Sequence, residues 1–170
     1  MTESAIRRLL AEVRSGKVNV EQAVARLRHL PFEDLGFAKI DHHRGLRQGM
    51  PEVILARGKR PEQVAGVVRR MLPAHPNILI TRADAATTRA VKRVARAAEF
   101  HELSGAITIH RDRTRLGKGR ILIVSAGTSD IPVAEEALVT AEIMGNDVAH
   151  LYDVGVAGIH RLMSHRHLLA

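Results

Sequence analysis

Ile121-Leu122-Ile123-Val124 runs straight into Ala126-Gly127-Thr128-Ser129-Asp130, and a helix-like stretch from Pro132 to Met144 follows. An apolar run, a turn of small residues and a helix start predict a strand, a tight turn and a helix. Such a turn gathers hydroxyls, a carboxylate and free backbone N–H groups at one point. Phosphates and other polar anions bind well there. A second strand is expected at 147–151. The order strand 121–125, helix 132–144, strand 147–151 is a βαβ unit of parallel type, with its ligand end at the turn. Two strands and one helix do not cover themselves, because parallel strands are normally buried on both faces. The unit therefore reads as incomplete.

Upstream the pattern is also mixed. Glu3 to Val13 reads as a helix broken at Ser15-Gly16. Asn19 caps a second helix with Val24, Leu27 and Leu30 on one face, ended by Pro31. Short strands are expected at Phe37–Asp41 and Glu52–Ala56. Pro61 opens a helix whose stripe is Val64, Val67, Val68 and Met71. A strand at Asn77–Thr81, a helix at Ala85–Ala98 and a strand at Ala106–His110 complete a small α/β domain. The glycine-punctuated stretch Arg111–Arg120 reads as a linker or exposed hairpin. The expected division is 1–116 and 117–170.

The 170 residues are 45% hydrophobic, carry a net charge of +8 and contain no cysteine. Disulfides, thiolate metal sites and cysteine nucleophiles are thereby excluded from these residues. Aromatic residues are only 2% of the chain, so a base-stacking surface lacks its platforms. No nucleic-acid partner is expected. Clusters such as Arg89-Lys92-Arg93-Arg96 suit a solvated face or an anionic small ligand. No segment approaches the ~20 apolar residues of a membrane span, and Ile6-Leu9-Leu10-Ala11 is too short for a signal-peptide core. A cytoplasmic protein is expected, with no membrane partner.

Three clusters carry candidate chemistry. Thr128, Ser129 and Asp130 can hold phosphate or ribose oxygens, or serve only as helix caps. Asp153, His160 and Arg161, spaced by Gly155 and Gly158, offer a proton shuttle and a bidentate phosphate contact, or an ordinary helix start. Asp41-His42-His43-Arg44, with Arg47 behind, suits an anionic ligand, a domain-interface ion pair or a solvated turn, and is a poor metal site, because adjacent histidines in an extended segment point apart. No resident metal is expected.

Taken together the segments are far more specific. Phe37-Ala38-Lys39-Ile40-Asp41-His42-His43-Arg44, Arg47-Gln48-Gly49-Met50-Pro51-Glu52, Ala126-Gly127-Thr128-Ser129-Asp130-Ile131-Pro132 and Asp153-Val154-Gly155-Val156-Ala157-Gly158-Ile159-His160-Arg161 resemble the LarB family of nickel-pincer cofactor biosynthesis. The resemblance implies a small N-terminal α/β domain followed by an incomplete PurE-like, flavodoxin-type parallel-sheet domain. It implies a carboxylase/hydrolase that converts nicotinic acid adenine dinucleotide and carbon dioxide or bicarbonate to pyridinium-3,5-biscarboxylic acid mononucleotide and AMP. Asp130 and His160 would be catalytic. Arg44, Arg47, Thr128, Ser129, Asp130, Asp153 and Arg161 would bind substrate. No tightly bound cofactor is implied, with Mg2+ at most accompanying the phosphates. The family acts as a homo-oligomer and uses a cysteine in a segment not matched here. The chain is therefore expected to be a truncated member, inactive alone. A PurE-like phosphoribosylaminoimidazole carboxylase and a non-catalytic nucleotide-binding fragment are the alternatives.

Overall fold

The computed structural model describes residues 3–27, 32–41 and 52–169. Two short helices, α1 (Glu3–Arg14) and α2 (Val20–Leu27), open the chain. Asn19 caps α2 as its sequence suggests. Its Oδ1 accepts from Gln22 N at 2.8 Å, and Gln22 Oε1 accepts from Asn19 N at 3.1 Å, so two otherwise unpaired N–H groups are satisfied reciprocally. The buried face of α2 differs from expectation. Ala23 is buried against Leu9 and Val18 with Leu27 alongside, while Val24 is 59% exposed. In this cluster α2 meets only α1 and Val18, so Ala23 and Leu27 are the residues of its face that find cover. Leu30 and Pro31 lie outside the described residues.

Next come an antiparallel hairpin of β1 (Phe32–Asp34) and β2 (Lys39–Asp41) and then a four-stranded sheet. Its strands are β3 (Val53–Leu55), β4 (Asn77–Thr81), β5 (Glu99–His101) and β6 (Ala106–His110), in the order β3-β4-β6-β5. The β3–β4 pair is parallel, and the other two pairs are antiparallel. Helix α3 (Pro61–Met71) makes the parallel crossover, and α4 (Ala85–Val94) follows β4. Pro61 stands in the first turn of α3, where its missing N–H costs nothing. Gln63 Oε1 accepts from Arg60 N at 2.9 Å. Val64, Val67, Val68 and Met71 pack on Ile54, Ile78, Ile80, Ile107 and Ile109, as the helical spacing requires.

Two expectations are corrected here. Strand β2 begins at Lys39 and β3 spans only Val53–Leu55, both shorter than the apolar runs. Helix α4 stops at Val94, with Ala95 already extended at φ −141° and ψ 90°. Local propensity favours continuing through Ala97 and Ala98. Pairing of Glu99–His101 with β6 and the packing of Phe100 against the core override it.

Residues 111–119 form a linker without strands, so no hairpin forms there. The linker is tied down at both ends. Arg111 donates to the carbonyls of Leu72, His75 and Pro76, capping the end of α3 with positive charge. Asn77 and Asp112 exchange two hydrogen bonds at 2.7 and 2.9 Å. Further on, Leu116 N donates to Gly145 O at 2.8 Å. Gly145 holds φ +84°, and a Cβ there would lie 2.8 Å from Thr114 O, so only glycine fits without strain.

The βαβ unit is present as expected. β7 (Arg120–Val124) and β8 (Asp147–Leu151) pair in parallel, joined through α5 (Ile131–Ile143). A one-residue shift at the start aside, this is the predicted unit. Its covering is not what the sequence suggests. Leu138, Val139 and Ile143 of α5 pack on Leu79 and Ala106 of the four-stranded sheet and also against Ile123 and Val148 of β7–β8. Helix α5 is thus shared by two sheets, with α3 and α4 on the far side of the larger one. A helix apolar on more than one face can do this, and the first sheet supplies cover that the two-stranded one lacks. The chain ends with α6 (Ile159–Ser164) between two short 3-10 turns.

Candidate functional site at the carboxyl end of β7 and β8

Leaving β7, the backbone turns at Ser125-Ala126-Gly127 and enters a 3-10 turn at Thr128–Asp130 that runs directly into α5. The turn is closed by Asp130, whose Oδ2 accepts from Gly127 N at 2.9 Å while Asp130 N donates to Gly127 O at 3.0 Å. Asp130 stands at the N-cap of α5, but its carboxylate closes the preceding turn rather than capping the helix N–H groups. One carboxylate oxygen is committed to the turn. Thr128 and Ser129 are exposed beside it, next to the start of a thirteen-residue helix whose first N–H groups carry a positive field.

The loop after β8 is laid against this turn by backbone hydrogen bonds. Ser125 N donates to Leu151 O at 3.1 Å, Val154 N to Ser125 O at 3.1 Å, and Gly155 N to Ala126 O at 2.8 Å. A Cβ on Gly155 would lie 3.0 Å from Ala126 O, so glycine lets this contact form without displacing the neighbouring carbonyl. Asp153 adopts φ +57°, a left-handed conformation that a short polar side chain tolerates better than most. Its Oδ2 accepts from Arg161 Nη1 at 2.6 Å. Gly158 leaves room beneath that guanidinium, since a Cβ there would meet Arg161 Nε at 2.7 Å.

The structure thus brings Thr128, Ser129 and Asp130 beside the loop that carries Asp153 and Arg161. His160 sits on α6 with its side chain exposed and makes no hydrogen bond among the described residues. Arg44, Arg47, His42 and His43 lie outside the described residues. Among the described residues, no group of three or more His, Asp or Glu is placed to hold a metal ion.

Sequence reasoning missed three members of this region. Tyr152 OH donates to Glu135 Oε2 at 2.8 Å and its ring stacks on His150 at 4.5 Å between centroids. Burial first, and then Glu135, push the phenol up to about 12. This bond ties the β8 loop to the first turns of α5. Ser125 is 8% exposed, and its Oγ is buried with no hydrogen-bond partner among the described residues. A serine ending an apolar strand was the available signal. Arg82 ends β4 with φ +55° and its Nε lies 3.0 Å from Glu136 Oε2. It links the end of the larger sheet to α5 one turn beyond the candidate site, through a contact between segments far apart in sequence.

Comparison with known proteins adds two findings. Residues 32–112 match the LarB/PurE-like N-terminal domain. An uncharacterized protein of Methanocaldococcus jannaschii is 30% identical over 164 residues, covering 92% of this chain. The chain spans 64% of that relative's length. No helix among the described residues is long and apolar enough to cross a membrane.

Proposed function

We propose, from the match of residues 32–112 to the LarB/PurE-like N-terminal domain, that the protein serves a LarB-type carboxylase/hydrolase acting on nicotinic acid adenine dinucleotide. In that reaction a pyridinium ring carbon loses a proton and gains a carboxylate from carbon dioxide or bicarbonate. Water cleaves the phosphoanhydride. The products are pyridinium-3,5-biscarboxylic acid mononucleotide and AMP. The observation that carries the reading is the joining of the Gly127–Asp130 turn to the Asp153–Arg161 loop at the carboxyl end of parallel strands, downstream of that domain.

In this reading the Thr128 and Ser129 hydroxyls and the N–H groups opening α5 take the substrate phosphates. Arg161, held by Asp153, adds a charged contact. The second oxygen of Asp130 faces ribose or the migrating proton, and His160 moves a proton near neutral pH. Arg44 and Arg47 approach the substrate carboxylate. No tightly bound cofactor is needed, and Mg2+ accompanies the phosphates. The protein works in the cytoplasm as a homo-oligomer, since β7 and β8 form only a two-stranded sheet among the described residues and unpaired strand edges favour association.

A cationic ring is a poor carbon nucleophile until something adds to it, and the chain contains no cysteine. Its residues therefore supply the holding of substrate, and a thiolate would come from outside them. These 170 residues alone are expected to bind substrate without turnover. The matched family's double description supports a second reading, a PurE-like enzyme for aminoimidazole ribonucleotide.

Calorimetric titration separates the two. Nicotinic acid adenine dinucleotide is expected to bind and to weaken by about ten- to a hundredfold in Arg161→Ala, the range for a lost charge-assisted hydrogen bond. Preference for aminoimidazole ribonucleotide would favour the second reading, and binding unaffected by the variant would overturn the assignment of this site.

A further inference from the structure

Among the described residues only Arg82 and Asp153, glycines aside, hold a left-handed backbone, at φ +55° and +57°. Each follows the carboxyl end of a strand in a parallel pair, Arg82 after β4 and Asp153 after β8. Such strain persists only where the surrounding structure enforces it, and it gathers at ligand clamps. Asp153 already belongs to the candidate site. Arg82 has no role assigned there, yet its corner is pinned. Ala83 N donates to Gly105 O at 2.7 Å, and Thr87 N donates to Asp84 Oδ1 at 2.7 Å. A Cβ on Gly105 would lie 2.9 Å from Ala83 O.

The Arg82 guanidinium is oriented as well. Its Nε lies 3.0 Å from Glu136 Oε2 and its Nη2 lies 3.4 Å from Glu136 Oε1, so one side of the fork is engaged. Nη1 makes no hydrogen bond among the described residues, and the side chain is 43% exposed. The other side of the fork is therefore open to a further acceptor. Its position on α5 is equally telling. Pro132, Glu136, Val139 and Ile143 follow one another at helical spacing along one face of α5, and Val139 and Ile143 pack on the larger sheet. Glu136 continues that face toward the start of the helix, and exposed Pro132 leads on to the exposed Ser129 of the turn. From Ser129 to Glu136 is about 10 Å along a helix axis. Arg82 thus borders the same surface as the candidate site, within reach of a dinucleotide that starts at the turn.

We propose that Arg82 is a specificity-determining residue that receives the adenylate half of the dinucleotide, with Nη1 donating to its oxygens. The proposal rests on the reading of the turn as a site for nicotinic acid adenine dinucleotide, whose nicotinate-side phosphate sits at Thr128, Ser129 and the start of α5. A guanidinium already paired with a carboxylate holds free AMP weakly. Tethered to a phosphate gripped at the turn, the adenylate arrives at high effective concentration. Little side-chain freedom is lost on contact, because Glu136 has already set the fork. Arg82 therefore adds affinity for a dinucleotide and none for a mononucleotide. Since Arg82 lies within the residues that match the N-terminal domain, that segment takes a share in substrate choice.

The test is calorimetric titration with nicotinic acid adenine dinucleotide and, separately, with nicotinic acid mononucleotide. Arg82→Gly suits the left-handed backbone and removes only the side chain. It is expected to weaken the dinucleotide by about tenfold or more and to leave the mononucleotide unchanged. The double variant Arg82→Gly/Glu136→Gln, which leaves no unpaired carboxylate behind, should show the same loss. Arg161→Ala should weaken both ligands. Equal loss of both ligands in Arg82→Gly, no loss of the dinucleotide, or its recovery in the double variant would overturn the proposal, while dependence on Arg161 would leave the reading of the turn standing. Binding of neither ligand, or binding of both unaffected by Arg161→Ala, would overturn the two together.

Discussion

Tyr152 is the residue whose environment makes the sharpest statement about this fold. It is the only tyrosine, and the chain has no tryptophan, so ultraviolet absorbance reports on it alone. Burial and the Glu135 carboxylate hold its phenol at about 12, against 10.0 for the free group. A raised value means that the folded protein keeps the proton longer. The stabilisation is complete below about pH 10 and is lost as the pH rises through the folded value near 12. A spectrophotometric titration should place the native midpoint near 12, with a fall toward 10 in Glu135→Gln or in urea. A native midpoint at 10 would mean that the β8 loop is not tied to α5. None of this was legible from sequence, because residues 135 and 152 meet only once the parallel pair has formed. Asp130 is a mixed case. Its place at the start of α5 was legible from local sequence, but its reach back to Gly127 was not read there.

At the scale of elements, α5 decides how the molecule holds together. Its residues Leu138, Val139 and Ile143 are shared between two sheets. Ile143→Ala removes a side chain that is 2% exposed and should cost about 2–5 kcal/mol. Because the helix is shared, amide exchange should rise in β4 and β6 as well as in β7 and β8. Faster exchange confined to β7–β8 would show that the two sheets do not depend on each other. Helical spacing located the stripe of α3, continuous apolar runs located β4 and β6, and a small-residue turn followed by a long helix-forming stretch located α5, since each is long enough for its pattern to speak. Three-residue strands such as β1 and β5 carry too little pattern, and β5 was hidden directly behind a run of good helix formers, Ala95 to Ala98. The sheet that α5 would cover besides its own could not be read either. An apolar helix face records that burial occurs and does not record against what.

On the scale of the whole molecule, residues that match the LarB/PurE-like N-terminal domain lead through a pinned linker into a parallel unit whose turn and following loop form one polar site. The candidate residues at that site were legible because hydroxyls, glycines and a carboxylate cluster within two short stretches, 126–130 and 153–161. Their mutual placement depended on three backbone hydrogen bonds that join Ser125 and Ala126 to Leu151, Val154 and Gly155, which no local pattern encodes. The net charge of +8 suits an anionic substrate and adds long-range attraction that salt screens, but it does not select the site. Backbone amide NMR during titration with nicotinic acid adenine dinucleotide does. The account predicts that the largest shifts fall on Gly127, Thr128, Ser129 and Asp130 together with Gly155 and Arg161. Shifts confined to other parts of the chain, or none at saturating ligand, would contradict it.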